Sequence, residues 1–409
     1  MTREFENMLH LFGCGALGNE VNNKYCTNLS KVRELSLAQE IWDVVYASIR
    51  GKIISGEVQI PSEVFAHLEK AFTANIARNV QKIEFNLKTL KKIEKSGIKY
   101  CIVKGITVAR LYNMPEVRIS SDMDILIDEK DEKQVVEILN ELGYETEARS
   151  NNDHHMKAYH ALGGLLEVHV ALYSIATDKI IFDDEIEYTE EFIPLEDGTY
   201  SLGINDALIY LTAHLIKHLI HDGAGVRQMM DLLVYMKRYE KQIDWNNYNS
   251  LMQKLGYDNF ISVVKGIGVK YWGMDFEDAV TEGNGMEELL EDCEIGGLFS
   301  VSEKDRKQFY ECYTQKRAGN SNIKHSMVKL TKSENSAFRM IFPSYKSMKE
   351  RFPYMKKSPI LLPIGWMHRI IEIVLKQMGI IKENEKNASI HKRRMEMVEK
   401  LGMLKSEKL

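Results

Sequence analysis

Two aspartates at the beginning of an apolar strand constrain this chain more than any other feature. Asp122 and Asp124 are separated by Met123 and lead into the aliphatic residues 125–127. Because side chains along a strand alternate between its faces, both carboxylates share one face, ~6.6 Å apart along the strand. Two divalent cations about 3.5 to 4 Å apart, which clamp the oxygens of a phosphoryl displacement, would satisfy them. A solvated strand end is the alternative, and the pair alone does not separate the two interpretations.

A glycine turn between a predicted strand and a predicted helix precedes the aspartates. Residues 99–103 have the pattern of a short buried strand, Lys104 and Gly105 interrupt it, and residues 106–112 predict a helix. Gly105 allows the backbone to approach a ligand closely, and the first turn of the helix presents unpaired N–H groups to a phosphate. Lys104 and Arg118 add a cation at either end of this unit, unless both are ordinary solvated charges. A turn after the helix would lay the aspartate strand beside the first strand.

A third acidic residue occurs in residues 165–171, which again alternate between polar and apolar. Glu167 and His169 fall on one face of this predicted strand. If the strand lies beside the aspartate strand, Glu167 can complete a metal site or take a proton from an attacking hydroxyl. A half-exposed strand with two polar residues in water is the alternative. A predicted helix over residues 130–142 and a strand over residues 156–160 precede it.

The order of these elements resembles the DNA polymerase β type nucleotidyltransferase superfamily, and within it a poorly characterised bacterial group of nucleotidyltransferases. The abortive-infection nucleotidyltransferase toxins are similar in this respect. The resemblance implies an α+β fold in which a mixed-sheet core is flanked by helical N-terminal and C-terminal regions. The residues that carry it are Lys104-Gly105, Arg118, Ser121-Asp122-x-Asp124 and Glu167-x-His169.

By this resemblance the protein moves a nucleoside monophosphate from a nucleoside triphosphate to an acceptor hydroxyl and releases pyrophosphate. Two Mg²⁺ ions, or Mn²⁺ in their place, would be held by Asp122, Asp124 and Glu167. The nucleotide would be bound by Lys104, Gly105, Arg118 and Ser121. The chain departs from the superfamily in two places, since the third acid is usually Asp and many members carry Gly-Ser where this chain has Lys-Gly.

A histidine-bearing helix is predicted downstream of the core. Asn205 is a suitable N-cap, and leucines recur at helical spacing after it. His214, His218 and His221 follow one stripe of this helix at i, i+4 and i+7. The candidates for the substrate side of the site are His169, Lys217, His218, Arg227 and Asp231, and packing of a polar stripe against the core is the equal alternative.

Two other classes of protein stay open. His221-Asp222, with His214 one helical face away, could hold a divalent transition metal, as in a histidine/aspartate phosphohydrolase. A non-catalytic nucleotide-binding protein on a degenerate transferase fold is the second.

The pattern Gly13-x-Gly15-x-x-Gly18 matches a dinucleotide-binding loop. It lacks a convincing preceding strand, and the region that follows it predicts helix, so a dinucleotide-binding loop is not favoured.

Length and charge bound the organisation of the chain. With 409 residues it exceeds a typical single domain, and we divide it into a helical N-terminal region (1–85), a core (86–200), a helical C-terminal region (201–380) and a charged tail (381–409). The formal charge of −5 argues against a protein that coats nucleic acid without sequence preference, but it allows a local basic groove. Five scattered cysteines indicate reduced thiols, and therefore the cytoplasm.

No secretory signal or transmembrane segment is predicted. Residues 360–375 are apolar, but Pro363 and several charged residues interrupt them, so packing on the core is favoured over contact with an anionic membrane. The expected partners are a nucleoside triphosphate and an acceptor. An antibiotic, a sugar, a protein side chain and a tRNA end all present hydroxyls, and no residue discriminates among these acceptors.

Overall fold

The computed structural model describes residues 1–147, 149, 154–172, 181–182, 186, 191–221, 223, 225–296, 309–310, 312–314, 316–317 and 385–404. In this part of the chain, helices flank a mixed β-sheet, which confirms the predicted α+β fold. None of these helices is long and apolar enough to cross a membrane. All five cysteines are free thiols. The expectations for residues 360–375 and for Asp222 lie outside the described residues.

Four helices form the N-terminal region, namely α1 (Arg3–Leu17), α2 (Leu29–Ala38), α3 (Trp42–Ile54) and α4 (Ser62–Lys95). The sequence pattern also predicts one continuous helix over residues 37–54, and this is wrong. Glu40 has a left-handed φ of 55°, and the N–H of Ile41 bonds back to the carbonyl oxygen of Ser36 at 2.9 Å. This is the geometry of a Schellman helix end, so α2 stops before α3 begins.

The sheet has the order β3-β4-β5-β2-β1-β7-β6. Its strands are β1 (Tyr100–Ile102), β2 (Asp122–Ile127), β3 (Glu145–Glu147), β4 (His155–His160), β5 (Gly164–His169), β6 (Phe192–Pro194) and β7 (Tyr200–Leu202). β2 runs antiparallel to β1 and parallel to β5, so the aspartate strand lies beside both of its expected neighbours. Between the strands lie α5 (Ile106–Ala109) and α6 (Glu132–Glu141). The predicted boundary between the core and the C-terminal helices, after residue 200, falls inside strand β7, so the core sheet extends to residue 202.

The C-terminal region contributes α7 (Ile204–His221), α8 (Val226–Arg238), α9 (Trp245–Leu255), α10 (Asp258–Trp272), α11 (Met286–Gly296) and α12 (Glu385–Lys400). A solvated helix is the expectation for the charged tail, and this is wrong for α12. Met397 and Val398 are fully buried, and the buried guanidinium of Arg394 pairs with Asp292 on α11 at 2.9 Å. Buried apolar residues and a buried ion pair together hold α12 against the rest of the structure.

Helices cover both faces of the sheet. Met123, Ile125 and Ile127 of β2 pack in one apolar cluster with residues of α4 and α6. Leu126 faces the other way, into a larger cluster built from the N-terminal helices and the helices that follow the sheet, α7 and α8 among them. Since Asp124 shares a strand face with Leu126, the carboxylates emerge on the side of α7 and α8.

The N-terminal glycine pattern serves helix packing. Gly13 and Gly15 lie within α1, and Gly18 ends that helix with a φ of 76°. A Cβ atom at Gly15 would lie 2.2 Å from the carbonyl oxygen of Val44 on α3. The glycines therefore allow two helices to approach closely, and the pattern forms no dinucleotide loop.

Gly15→Ala should lower the free energy of unfolding by about 1 to 3 kcal/mol, because the added methyl group overpacks the contact between α1 and α3. Gly51→Ala on α3 is the matched control, since a Cβ there meets nothing within 4 Å. It should raise stability by about 0.4 to 1 kcal/mol by restricting the unfolded chain. Urea denaturation measures both, and equal effects of the two variants would contradict this packing.

Candidate active site

The two aspartates enter the site from β2 with different degrees of burial. Asp124 is 1% exposed, whereas Asp122 remains partly open to solvent. The hydroxyl of Ser120 donates a hydrogen bond to Asp122 Oδ1 at 3.0 Å. The strand therefore presents one accessible and one buried carboxylate on the same face.

β5 brings the third carboxylate next to the second. Glu167 is the direct neighbour of Asp124 in the parallel pairing of β2 with β5. His169 Nε2 lies 3.1 Å from Asp124 Oδ1 and 3.8 Å from Glu167 Oε2. One ligand atom from each of these three residues lies within 4.8 Å of the others. The strand register thus places Glu167 beside Asp124, as the sequence spacing predicted for adjacent strands.

Lys104 connects the aspartates to the histidine helix. Its ammonium lies 3.7 Å from Asp122 Oδ2 and 3.4 Å from Asp124 Oδ2. It also lies 2.9 Å from His214 Nε2, to which it can donate a hydrogen bond. His218 Nε2 is 3.2 Å from the same nitrogen of His214. A single lysine therefore bridges the end of β1, both aspartates and α7.

The site balances burial against charge. Burial alone would raise the pKa of Asp122, but the Lys104 ammonium, the Ser120 hydroxyl and the more distant Arg227 lower that pKa to about 2. Burial would lower the pKa of Lys104, yet the surrounding carboxylates raise it above the usual value. Burial and the charge of Asp124 raise the pKa of Glu167. Asp122 and Lys104 are thus held as a charged pair, while Glu167 has an increased affinity for a proton.

A pocket opens in front of Asp122, between the sheet and the helices α7 and α8. The predicted site residues in its wall are Lys104, Gly105, Arg118, Ser121, Asp122, His218, Arg227 and Asp231, and they are joined by Glu40, Ser120, Leu211, His214 and Gln228. Asp124, Glu167, His169 and Lys217 are not among the lining residues. Lys217 acts from a distance, since its charge contributes to the lowered pKa of both His155 and His214.

Arg118 and Asp231 form a buried ion pair in the pocket wall. Arg118 Nε donates to Asp231 Oδ1 at 2.8 Å, and the hydroxyl of Tyr112 donates to the same oxygen at 2.8 Å. Both charged residues are more than nine-tenths buried. Arg118 Nη2 donates to the other oxygen of Asp231, so two donor groups of Arg118 are committed to this carboxylate. The pair ties the chain before β2 to α8.

Sequence analysis did not single out Lys82, which belongs to the same site. Its ammonium, on α4, donates to the carbonyl oxygen of Ser120, and it is close enough to interact electrostatically with Asp122. Arg227 donates to the carbonyl oxygen of Ile119 at 3.1 Å and pairs with Glu40 at 3.1 Å. Lys82 lies in α4 and Glu40 in the turn between α2 and α3, both far from any recognisable motif, so only the tertiary fold brings them here.

The donor set fits a hard divalent cation. Asp124 Oδ2 is buried and accepts no hydrogen bond within the described part of the chain, although Lys104 lies near it. Carboxylate oxygens are the ligands that Mg²⁺ accepts together with water and substrate phosphates. Asp122, Asp124 and Glu167 are the residues that could hold such ions. In this structure the Lys104 ammonium lies beside both aspartates and balances their charge.

Comparison with known proteins agrees with this geometry. A family model described as an uncharacterised nucleotidyltransferase matches residues 27–264, which is more than half of the chain. The chain belongs to this nucleotidyltransferase family. All pocket residues, from Glu40 to Asp231, lie within the match. No curated protein and no solved structure was found to match. The predicted family is thus confirmed, and at this coarse level the chain is a transferase-type enzyme with a nucleotide substrate.

The three histidines of α7, His214, His218 and His221, do not share one environment. His214 and His218 contact each other beside Lys104, whereas the ring of His221 stacks on Tyr310 with centroids 4.3 Å apart. A metal site on His221 and Asp222 stays a prediction, because Asp222 is not among the described residues.

Removing one partner of the Arg118–Asp231 pair should lower the free energy of unfolding by about 3 to 5 kcal/mol, because an unpaired charge is left buried. Asp231→Ala and Arg118→Ala test this by urea denaturation. Arg118→Met combined with Asp231→Leu should cost less than the sum of the single losses, since no charge is left unpaired. Glu34→Ala, which removes the exposed Lys31–Glu34 pair, is the control and should change stability by less than about 1 kcal/mol. If the Arg118–Asp231 variants and Glu34→Ala lost similar amounts of unfolding free energy, the conclusion that Arg118 and Asp231 form a buried ion pair would be contradicted.

Proposed function

We propose that this protein is a magnesium-dependent nucleotidyltransferase that moves a nucleoside monophosphate from a nucleoside triphosphate to an acceptor hydroxyl, with release of pyrophosphate. The observation that carries the proposal is the pairing of Asp124 with Glu167 across β2 and β5, with Asp122 two residues earlier on the same face. Family membership supports the reaction class.

Asp122, Asp124 and Glu167 would hold the metal ions, with Mn²⁺ as a substitute for Mg²⁺. When bound, the ions would neutralise developing charge on the phosphate oxygens. Asp122 is suited to exchange between protein and substrate contacts because, of the three proposed metal ligands, it is the one that lines the pocket. Asp124 is held in place by His169 at 3.1 Å, so its carboxylate is oriented before a ligand arrives.

The triphosphate would lie against the turn formed by Lys104 and Gly105. Gly105 has a φ of 79° and a ψ of −103°, a conformation that favours glycine, and its missing side chain leaves the backbone open to the pocket. Lys104 and Arg227 supply positive charge at the pocket wall, and Lys82 adds a third cation nearby. Arg118 contributes mainly by anchoring α8 through Asp231.

Glu167 would accept the proton of the acceptor hydroxyl. It lies beside Asp124 in the register of β2 with β5, close to where the metal ions would be held, and a carboxylate in reach of the acceptor hydroxyl can act as its general base. The reaction balances without a further reactant: the acceptor oxygen forms a bond to the α-phosphorus, the bond to pyrophosphate breaks, and the proton passes to the carboxylate.

Asp122→Asn and Asp124→Asn should each reduce transfer at least about 100-fold, because each removes a charge that holds the metal. The assay incubates the protein with α-labelled nucleoside triphosphates, Mg²⁺ and cell extract, and follows label transfer and pyrophosphate release. Asp128→Asn is the matched control, since Asp128 is an exposed carboxylate just after β2. Full activity in Asp122→Asn or Asp124→Asn would contradict the proposal.

A histidine-based phosphohydrolase is the competing proposal, and the contact between His214 and His218 in the pocket supports it. The same assay separates the two. Triphosphate hydrolysis that survives Asp122→Asn but is lost in His218→Ala would favour hydrolysis, whereas binding without turnover would favour a non-catalytic nucleotide-binding protein.

A further inference from the structure

Three histidines meet beside the carboxylates, at strands β4 and β5. His155 and His169 are direct cross-strand neighbours in the antiparallel pairing of β4 with β5. His154 immediately precedes β4. The ring centroids lie 4.8 Å apart for His154 and His155, 5.1 Å for His155 and His169, and 5.4 Å for His154 and His169. One ring nitrogen of each residue lies within 4.8 Å of the other two.

His169 has the hydrogen-bonding pattern of a metal ligand. A carboxylate only accepts hydrogen bonds, so the contact of 3.1 Å with Asp124 Oδ1 places the proton on Nε2. The lone pair then lies on Nδ1, which is buried and makes no hydrogen bond within the described residues. The residue as a whole is only 4% exposed. A carboxylate that orients a histidine in this way is the usual support behind a metal-bound imidazole.

His155 is a second imidazole with a buried nitrogen. Its Nδ1 also makes no hydrogen bond in the described part of the chain. Its Nε2 lies 3.9 Å from Glu167 Oε1, which brings negative charge to the cluster.

We propose that His154, His155 and His169 bind one divalent transition metal ion of the zinc class, at a site distinct from the carboxylate site and joined to it through Asp124. Imidazole nitrogens select such ions, whereas Mg²⁺ takes oxygen ligands. Metal–nitrogen bonds of about 2.0 to 2.1 Å require ligand nitrogens about 3.3 Å apart in a tetrahedral site. Small rotations of the half-buried rings of His154 and His155 provide this closure. The proposal does not depend on nucleotidyl transfer.

The test is a Co²⁺ titration of the full-length, chelator-treated protein in excess Mg²⁺, followed by visible absorption. The wild-type protein should bind one Co²⁺ with nitrogen ligands, and His154→Ala and His155→Gln should each weaken this binding at least about 10-fold. His67→Ala removes an exposed histidine on α4 and should leave the affinity unchanged.

The set formed by Asp124, Glu167 and His169 could also take Co²⁺, and it is intact in both cluster variants. Binding that persists within twofold of wild type in His154→Ala and His155→Gln would therefore overturn the proposal. Thermal unfolding without metal shows whether each variant folds. His154 precedes the strand, so its variant keeps the test valid if His155→Gln disturbs β4. Loss of Co²⁺ binding with unchanged magnesium-dependent transfer would support this site independently of the proposed reaction.

Discussion

The electrostatic constraint on which this structure depends is the burial of carboxylates beside one lysine. Asp122 and Asp124 both lie within 4 Å of the Lys104 ammonium, and Asp124 is almost completely buried. Unpaired charges in such a position would be strongly destabilising. Lys104 is in turn hydrogen-bonded to His214, so the position of its ammonium depends on a helix that follows the sheet in sequence. The C-terminal helices are therefore part of the site.

Two of the contacts between these helices and the sheet side of the site have different consequences. The Arg118–Asp231 pair fixes α8 against the turn before β2, and it is buried on both sides. The Lys104–His214 contact is a single hydrogen bond between two residues that line the pocket, so a ligand can replace it. The pocket therefore has a wall fixed by a buried ion pair, beside a lysine that can change its partner. This arrangement suits a site that must bind and release a triphosphate.

Local patterns predicted much of this arrangement. The alternation around Asp122 predicted the shared face of the aspartates, because this depends only on strand periodicity. The turn after the helix that follows Gly105 predicted the pairing of β2 with β1. Lys82 and Glu40 could not be predicted, since nothing in the sequence of α4, or of the turn after α2, shows which side chains meet the site. The break at Glu40 was missed because the local residues continue a helical pattern. The docking of α12 was missed because the few apolar residues that it buries lie among many charged ones, and a buried ion pair of Arg394 with Asp292 accompanies them.

The most direct test of the central claim is a crystal structure with Mn²⁺ and a non-hydrolysable nucleoside triphosphate analogue, in which anomalous scattering locates the metal. We predict a peak bonded to oxygens of Asp122 and Asp124, near Glu167, with the triphosphate against the turn at Lys104 and Gly105. A triphosphate bound elsewhere on the chain, with no metal peak at these carboxylates, would contradict the claim that the aspartate pair forms the active site.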